Sequence, residues 1–441
     1  MKRIAIVSHG CAKNLVDSEL MLGLLAQNGY EISLDENESE IVIVNTCAFI
    51  HDAEKESVDS ILELVNAGKK VIVAGCLAQK HREKLKEAIP EIAGMIGPTD
   101  IDKIVDILKK IEGDSENPED NYIDDVSNKP QYDYLENVER QQITVGASSY
   151  IKIADGCNYR CGYCIIPYLR GDYKSRPMEK IIDEAKSLVK KGVSEIVLIA
   201  QDTTYYGIDL YGKPMLANLL EELNKIEDLN WIRFMYAYPT NMSDELLDAI
   251  AKLDKVVKYI DIPLQHSDVD VLKSMNRPAF DYKDMIKNIR AKVSNIAIRT
   301  AFIVGYPGET EEQFENLYEF VKEMKFNKMG VFKYSREKGT PSYKIKPLVP
   351  AKIRNQRYKK LMELQQGISK SVNESFVGKT LDCIIESYTD DGMIIARSQY
   401  DAPEVDGVVY IKTDKSVIPG DIEQVKITDC YEYDLIGEII D

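Results

Sequence analysis

The stretch "GCNYRCGYC" at residues 156–164 decides how the middle of this chain is interpreted. It places Cys157, Cys161 and Cys164 in a C-x3-C-x2-C run directly after a predicted strand, "SYIKIADGC". Structural zinc sites use four ligands, usually in two separated pairs, and no fourth Cys or His lies near this run. Three thiolates suit a 4Fe–4S cluster and leave one iron open to another ligand. The run therefore favours an iron–sulfur cluster over zinc.

Six strand–helix units follow one another from about residue 148 to 345, with that first strand at their start. Six units are too few for a complete eight-fold barrel, so we predict a partial, open (βα)6 barrel with its active site at the C-terminal strand ends. After residue 377, short strands separated by "DDG", "DG" and "PGD" predict a small closed β-barrel of the OB type.

The first part of the chain, residues 1–112, alternates Val/Ile-rich strands with amphipathic helices. This pattern is typical of a parallel sheet covered on both faces. Residues 113–147 are acidic and show no periodicity, so we predict a linker there. The predicted fold class is thus α/β, with an N-terminal domain over 1–112, a partial barrel over 148–377 and a β-barrel over 378–441.

Three isolated cysteines end the three predicted N-terminal strands. Cys11, Cys47 and Cys76 lie in "HGC", "NTC" and "AGC". Parallel strands present their carboxyl ends along one edge of the sheet, where α/β folds bind ligands. We therefore predict a second three-thiolate metal site; the alternative is three unrelated buried thiols. Cys383 and Cys430 fall on predicted strands of the last barrel and are expected to be core thiols.

The net charge of the chain indicates which classes of partner it could bind. The chain has a formal net charge of −17, which disfavours nonspecific nucleic-acid binding because phosphates need a basic surface. Residues 378–441 hold five basic and fifteen acidic side chains, a net charge of −10. Such a surface would attract a basic protein, although acids also simply confer solubility. Apolar runs are too short for a membrane span or a signal peptide, so we predict a cytoplasmic protein.

These features together resemble the radical SAM superfamily, in which an aromatic residue, here Tyr163, usually precedes the last cysteine of the loop. End to end, the chain is similar to the methylthiotransferases, which join an N-terminal three-cysteine domain, a radical SAM barrel and a TRAM domain. The stretch "GCAKNLVDSE" resembles the branch that acts on protein twelve of the small ribosomal subunit, and the tRNA-modifying branch typically has "GCQMN". Ala12 stands where that first branch often has Pro. The stretches "DIPLQH", "GYPGET" and "YSREKGTP" also look like the family.

The resemblance implies a mechanism. Cys157, Cys161 and Cys164 would hold a 4Fe–4S cluster that binds and reduces S-adenosylmethionine, and the resulting radical would abstract hydrogen from the β-carbon of an aspartate. Cys11, Cys47 and Cys76 would hold a second 4Fe–4S cluster that carries the sulfur. A second S-adenosylmethionine would donate the methyl group. The C–H bond is not acidic enough for a side-chain base, so the chemistry must come from a cofactor. An electron donor such as flavodoxin or ferredoxin is implied as a partner.

Further candidates each have a simpler explanation. Gln201 and Asp202 end the second barrel strand and would hold the polar end of S-adenosylmethionine, or merely cap the strand. Gly305 and Gly308 would let the backbone approach the adenine, or form a plain turn. His266 is expected to be a hydrogen-bonded structural histidine.

The residues beside Cys11 form a last group. Lys13, Asn14 and Asp17 would tune the second cluster or touch the substrate, whereas a helix-capping role for Asp17 or Ser18 is the alternative. For the function itself, two alternatives stay open: a tRNA methylthiotransferase with the same chemistry, and a non-catalytic, metal-stabilised protein that binds RNA or the ribosome.

Overall fold

A computed structural model of the chain describes residues 3–112, 123–143, 146–413 and 415–440. The chain forms two compact units. The first comprises Met1–Val145, Asp155–Arg160 and Cys164–Lys174, and the second comprises Gly146–Ala154, Cys161–Tyr163 and Ser175–Asp441. None of the helices in the described ranges has an apolar stretch long enough to cross a membrane.

The first unit contains a six-stranded, all-parallel sheet in the order β2-β1-β3-β4-β5-β6. Its strands are β1 (Arg3–Ser8), β2 (Glu31–Ile32), β3 (Ile41–Thr46), β4 (Lys70–Gly75), β5 (Gly94–Ile96) and β6 (Ile123–Asp124). Its helices are α1 (Ala12–Gln27), α2 (His51–Asn66), α3 (Cys76–Ala88), α4 (Ile104–Glu112) and α5 (Ile166–Arg170). The predicted parallel α/β domain is confirmed, and three short strands that the sequence pattern did not reveal extend its sheet.

The centre of that sheet is buried on both faces. Along β3, Val42 and Val44 join one apolar cluster, and Ile41 and Ile43 join the other. Successive strand residues point to opposite faces, so a continuous Val/Ile run fills two cores at once. This burial fixes the register of the central strands, because a slip by one residue would exchange the two faces.

The segment expected to be a linker contributes to the first unit. Ile123 pairs with Gly94 of β5, the side chain of Tyr132 is buried in a core cluster, and Arg140 forms an ion pair with Glu19 at 3.0 Å. Residues 113–122 and 144–145 lie outside the described residues. A two-residue strand is too short to leave a periodic pattern, and a few buried side chains suffice to hold an acidic segment on the sheet.

The second unit begins with six parallel strands: β7 (Ser148–Lys152), β10 (Glu195–Ile199), β11 (Trp231–Phe234), β12 (Tyr259–Asp261), β13 (Ala297–Val304) and β14 (Lys328–Lys333). They form two three-stranded sheets, β7-β10-β11 and β12-β13-β14. Isolated links such as Ile232 to Val256, and Ala237 N donating to Asp261 O at 2.8 Å, connect the two sheets. The short strands β8 (Ala154–Asp155) and β9 (Lys174–Ser175) flank the cysteine loop. The predicted partial barrel of six units is confirmed.

Helices cover the barrel strands and lead to the C-terminal region. They are α6 (Met178–Lys190), α7 (Ile208–Tyr211), α8 (Leu216–Asn224), α9 (Asp244–Lys252), α10 (Val269–Ser274), α11 (Tyr282–Lys292), α12 (Glu311–Met324) and α13 (Ala351–Glu374). Five strands then form a closed barrel: β15 (Thr380–Tyr388), β16 (Ile394–Ser398), β17 (Val409–Ile411), β18 (Ile422–Cys430) and β19 (Leu435–Ile439). This confirms the predicted small β-barrel, in whose core Cys383 is buried while Cys430 packs partly against it.

The small barrel is joined to the parallel strands by buried charges. Arg397 of β16 pairs with Glu195, the first residue of β10, and Arg233 of β11 donates to the same carboxylate at 2.8 Å. All three side chains are almost fully buried. Removing one member would leave a buried charge uncompensated, which typically costs about 3–5 kcal/mol.

Candidate functional site

Three cysteines lie just beyond the ends of adjacent strands in the first unit. Ser8 of β1 is opposite Asn45 of β3, which in turn is opposite Ala74 of β4. Cys11, Cys47 and Cys76 follow these three aligned positions by three, two and two residues, so each lies at the same edge of the sheet. Cys11 is exposed and the other two are buried.

Two glycines let the chain turn at this edge. Gly10 has φ +93°, and a Cβ on it would lie 2.6 Å from Cβ and 2.9 Å from Sγ of Cys47. Gly75 also has φ +93°, and its Cβ would lie 2.4 Å from Oδ1 of Asn45. Both conformations favour glycine, and both positions leave no room for a side chain. The glycine before Cys11 and the one before Cys76 are therefore part of the site.

Asparagine side chains tie the turns together. Asn14 Nδ2 donates to the backbone oxygens of His9 and Thr46, each at 3.0 Å. Asn45 Nδ2 donates to the backbone oxygen of Asn14 at 2.8 Å. These bonds connect the loop after β1 to the loop after β3. Asn14, predicted to lie near the cluster, thus acts on the backbone that carries Cys11 and Cys47.

The helix-capping alternative for Asp17 and Ser18 is wrong. Helix α1 starts at Ala12, its N-cap residue is Cys11, and no side chain caps it. Asp17 lies inside the helix and accepts a hydrogen bond from Tyr132 Oη at 3.1 Å. Ser18 bonds to the hydroxyl of Ser8 at 3.0 Å. Both side chains point into the unit, because the packing of α1 on the sheet buries this face. Lys13 is also buried.

The three thiols influence one another electrostatically. Burial raises the pKa of the Cys76 thiol to about 12, and the charges of Cys11 and Cys47 add to this rise. Burial and the charge of Cys11 likewise raise the pKa of Cys47. The guanidinium of Arg170 opposes the shift at both buried thiols. Without a metal, the two buried thiols are therefore held in the protonated form.

The donor set fits an iron–sulfur cluster. Three soft sulfur ligands lie along one edge of the sheet, and one of them is open to solvent. Within the described ranges, no three His, Cys, Asp or Glu side chains are close enough to hold a single metal ion. A cluster binds each thiolate to a different iron, so its ligands need not converge on one point.

Arg170 is the residue of this region that the sequence analysis missed. It lies six positions after Cys164, in "YLRGD", and nothing in that string distinguishes it from a surface arginine. In the structure its side chain is buried against Asp17 and Asp155, at 3.0 and 2.8 Å. Asp155, the last residue of β8, is fully buried too.

The C-x3-C-x2-C loop connects β8 to α5. Cys157 and Cys164 belong to the first unit and are partly buried, and Cys157 N donates to Gly171 O at 3.1 Å. Cys161 belongs to the second unit and is buried. Burial works to lower the pKa of the nearby Arg277 guanidinium, but interactions with Tyr163, Cys161, Tyr238 and Tyr282 together raise it.

The backbone of Gly162 is held on both sides. Its N–H donates to Met275 O at 2.7 Å, and its carbonyl accepts from Ser342 N at 2.8 Å. A Cβ at this position would lie 2.6 Å from Oη of Tyr306. Tyr163 packs against the apolar cluster that contains Met275 and Tyr306. The middle of the loop, which belongs to the second unit, is therefore fixed there by two backbone hydrogen bonds, and the Tyr306 hydroxyl leaves no room for a side chain at Gly162.

The two polar residues at the end of β10 differ in what they do. Asp202 is buried and accepts hydrogen bonds from Thr204 N at 2.9 Å, Tyr205 N at 3.2 Å and Asn241 Nδ2 at 3.0 Å. It therefore caps the short turn that follows the strand. Gln201 is only partly buried. Their role towards S-adenosylmethionine stays a prediction.

The loop after β13 contains both predicted glycines. Gly305 has φ +76°, and a Cβ there would lie 2.1 Å from Cγ of Arg354, whereas Gly308, with φ +84°, has open space around it. Glu309 Oε2 accepts from Gly305 N at 2.6 Å and from Tyr306 N at 3.1 Å. Arg357 holds the other oxygen of Glu309 at 2.7 Å. Sequence analysis missed Glu309, although the acid of "GYPGET" was a visible signal.

His266 is completely buried in the segment that follows β12. Its Nδ1 accepts from Asp268 N at 3.0 Å, so the neutral ring has its proton on Nε2, 4.0 Å from Glu309 Oε2. Burial lowers the pKa of His266 to about 4. Its hydrogen bond is of the kind expected for a structural histidine.

Comparisons with known families divide the chain as the fold does. Residues 151–321 match the radical SAM superfamily, residues 3–97 match the uncharacterized protein family UPF0004, and residues 377–440 match the TRAM domain. Among solved structures, the radical S-adenosylmethionine methyltransferase TsrM from Kitasatospora setae is similar in fold. Its TM-score is 0.56 at 15% sequence identity, over 86% of this chain and 80% of TsrM.

Curated relatives match along the whole length. The ribosomal protein uS12 methylthiotransferase RimO of Thermoanaerobacter sp. (strain X514) is 47% identical over 99% of this chain and 100% of the relative. The protein of the same name from Caldanaerobacter subterraneus subsp. tengcongensis is 46% identical, again over 99% of this chain and 100% of the relative.

Proposed function

The chain belongs to the ribosomal protein uS12 methylthiotransferase (RimO) family, and on this basis we propose that it adds a methylthio group to the β-carbon of an aspartate in that ribosomal protein. One observation of its own fold carries the proposal. In addition to the three cysteines of the C-x3-C-x2-C loop, three more thiols lie at one edge of a parallel sheet. The chain therefore has two candidate three-thiolate sites. A radical SAM enzyme that also transfers sulfur needs both.

We propose that Cys157, Cys161 and Cys164 hold one 4Fe–4S cluster and that Cys11, Cys47 and Cys76 hold another. Bound at Cys157, Cys161 and Cys164, a cluster would supply the electron for radical chemistry with S-adenosylmethionine, which an unactivated C–H bond requires. A cluster at Cys11, Cys47 and Cys76 would supply the sulfur, and a further S-adenosylmethionine would supply the methyl group.

The chain's own residues orient these groups. Gly162 and its two backbone hydrogen bonds fix the position of Cys161 and Tyr163 on the barrel. Tyr163, Gln201, Gly305 and Gly308 are the proposed S-adenosylmethionine contacts. Asp202 fixes the turn after Gln201, and Glu309 fixes the backbone of Gly305, so both act as positioning residues.

The substrate assignment is supported by charge. Of the five basic residues of the C-terminal barrel, Arg397 is buried in ion pairs, so its charge does not offset the acids at the surface. Tyr388, Tyr431 and Tyr433 are exposed on the same barrel. Acidic and aromatic side chains suit Lys- and Arg-rich protein segments through ion pairs and cation–π contacts, whereas single-stranded RNA would need a basic groove. A basic ribosomal protein is therefore favoured over tRNA.

We further propose that the enzyme works in the cytoplasm, where thiols stay reduced, and receives electrons from a flavodoxin or ferredoxin. Functional domains over residues 1–112, 148–377 and 378–441 complete the proposal.

The test is reconstitution without oxygen, followed by incubation with S-adenosylmethionine, a reductant and either a peptide from the ribosomal protein's aspartate loop, assembled small subunits or tRNA. We expect about eight irons per chain and a methylthio mass gain on the protein substrate. A mass gain on tRNA alone would contradict the substrate assignment, and zinc in place of iron would contradict the enzyme assignment.

A further inference from the structure

A buried arginine lies behind the three strand-end thiols. Arg170 is the last residue of α5, and its side chain is 2% exposed. Nη1 donates to Asp155 Oδ2 at 2.8 Å, and Nη2 donates to Asn14 Oδ1 at 2.7 Å and Asp17 Oδ2 at 3.0 Å. Three partners around one planar guanidinium fix its orientation.

This guanidinium lies beside the turn that carries Cys11, because its partner Asn14 donates its backbone N–H to Cys11 O at 2.8 Å. Its positive charge lowers the pKa of the Cys47 and Cys76 thiols, against the rise that burial causes. In return, the charges of Cys76 and Cys11 act on Arg170. The positive charge of Arg170 therefore interacts electrostatically with all three strand-end cysteines. Asn14, one of its partners, also bonds the backbone of Thr46, next to Cys47.

The backbone that carries Arg170 is immobilised. Ile165 and Leu169, on the same short segment, are buried in the apolar cluster that contains Cys76, Leu77 and Ala78. This packing fixes the backbone from which the Arg170 side chain extends, and the three hydrogen bonds fix the guanidinium itself. Its distance from the sheet edge is thus set by apolar packing as well as by ion pairs.

We propose that Arg170 is a positioning residue for the N-terminal cluster: its fixed positive charge stabilises the three thiolates and raises the reduction potential of the cluster they hold. A nearby cation favours the reduced cluster, which carries one more negative charge, whereas the carboxylates of Asp17 and Asp155 oppose it. The inference rests on the proposed second cluster, and it adds the residue that tunes that cluster.

The experiment uses the full-length chain with Cys157, Cys161 and Cys164 all changed to Ala, so that only the N-terminal cluster remains. In this background we compare Arg170→Gln, Arg170→Lys and Asp17→Asn, with Tyr132→Phe as the matched control. Tyr132→Phe removes a hydrogen bond from the same buried network without changing its charge. The measurements are iron and sulfide content, the electron paramagnetic resonance spectrum of the reduced cluster, its potential by redox titration, and the rate of iron loss to a chelator.

We expect Arg170→Gln to lower the potential and Asp17→Asn to raise it, with Arg170→Lys between Arg170→Gln and the parent, and Tyr132→Phe unchanged. Loss of iron to the chelator should become about 10- to 100-fold faster in Arg170→Gln. A merely structural Arg170 would speed iron loss in all buried-network variants and leave the potential of the remaining cluster unmoved, which overturns the inference.

The same data separate this inference from the proposed function. If the parent variant without the loop cysteines binds about four irons, the second cluster exists whatever Arg170 does. If it binds none, the two-cluster proposal and the role of Arg170 both fail. Unfolding of each iron-free variant, followed by circular dichroism, shows whether Arg170→Gln has folded; if it has not, the opposite shifts of Arg170→Lys and Asp17→Asn decide.

Discussion

The two sets of three cysteines differ in how the chain brings them together. Cys157, Cys161 and Cys164 lie within eight consecutive residues, and local backbone contacts at Gly162 hold the middle of their loop. Cys11, Cys47 and Cys76 are spread over 66 residues and meet only because three strands of one sheet end in register. The first set is brought together by its short sequence spacing, whereas the second is brought together only by the pairing of strands in the sheet.

This difference teaches where each site is vulnerable. The strand-end site depends on sheet register, on two glycines with positive φ and on a buried arginine from a distant segment. The loop site also depends on glycines, Gly156 with φ +79° and Gly162, but both of them lie inside the loop sequence itself. Changes far from the cysteines should therefore damage the first site more often than the second.

Removing one thiol from each set should give the largest effects and separate the two roles. Cys47→Ala is expected to abolish methylthio transfer but to leave reductive cleavage of S-adenosylmethionine, because only the proposed sulfur-carrying site is lost. Cys161→Ala should abolish both activities. The products are followed by mass spectrometry, and Cys430→Ser, a partly exposed thiol of the C-terminal barrel, serves as the control. If Cys47→Ala still transferred methylthio groups, the strand-end cysteines would not be the sulfur carrier, and the loop site alone would perform both steps.

The glycines test how each site is built. Gly75→Ala adds a Cβ 2.4 Å from Asn45 Oδ1 at φ +93°, and should lose about half of the bound iron. Gly162→Ala, whose Cβ would meet Tyr306 Oη at 2.6 Å, should lose the other half. The strain of a non-glycine residue at such a φ, as in Gly75→Ala, is about 1–3 kcal/mol, before any clash.

Gly68→Ala is the matched control for Gly75→Ala. Its φ is +75°, but nothing lies within 4 Å of the added Cβ, so it should keep all of its iron at a small cost in stability. Iron per chain and the thermal midpoint are the measurements. If Gly68→Ala lost as much iron as Gly75→Ala, backbone strain rather than contact at the site would explain both.

Mild acid should distinguish the two units. Burial lowers the pKa of His266 to about 4, against about 6.5 in an unfolded chain, and the charge of Arg357 adds to this while Asp268 opposes it. Its contribution to stability is complete above pH 6.5 and is lost as the pH falls from 6.5 to 4, by about 3 kcal/mol. Urea unfolding at pH 7 and 4.5 should show a smaller loss in His266→Gln than in the parent.

In the first unit, Glu54 titrates lower. Burial works to raise its pKa, but hydrogen bonds from His81 and Lys80 bring it down to about 2. Its contribution is present above about pH 4.5 and is lost only as the pH falls towards 2. Between pH 6.5 and 4.5 a Glu54→Gln variant should therefore follow the parent. If His266→Gln and the parent lost the same unfolding free energy between pH 7 and 4.5, His266 would not be the group that makes the second unit sensitive to mild acid.

The smallest effect is expected at Asp202. Since it caps the turn after β10, Asp202→Asn should cost about 1 kcal/mol in unfolding free energy. Its effect on the dissociation constant for S-adenosylmethionine should stay within a few-fold, because a positioning residue acts only through Gln201. Gln201→Ala is the comparison and should weaken binding more. A much larger loss in Asp202→Asn would identify its carboxylate as a direct contact.

Much of the fold could be predicted because its signals are local and repeated. The Val/Ile runs that end in Cys11, Cys47 and Cys76 indicated a parallel sheet, and six strand–helix units indicated the partial barrel. Strands β2, β5 and β6 have only two or three residues and left no pattern. The attachment of Tyr132 and Arg140 to the first unit was missed for a related reason: an isolated buried side chain in an acidic segment has no periodicity to reveal it.

The sequence by itself determined which residues can ligate metal and in what chemical class, because cysteine spacing and strand ends are written directly in it. It also determined the sign of the charge on the C-terminal barrel. Only the tertiary structure decided that Arg170, 94 positions beyond Cys76, is held beside the turns that carry the strand-end cysteines, and that Gly10 and Gly75 leave no space for a side chain. The physical reason is that ligand type is a property of a residue, whereas charge compensation and close packing are properties of pairs that folding alone brings together.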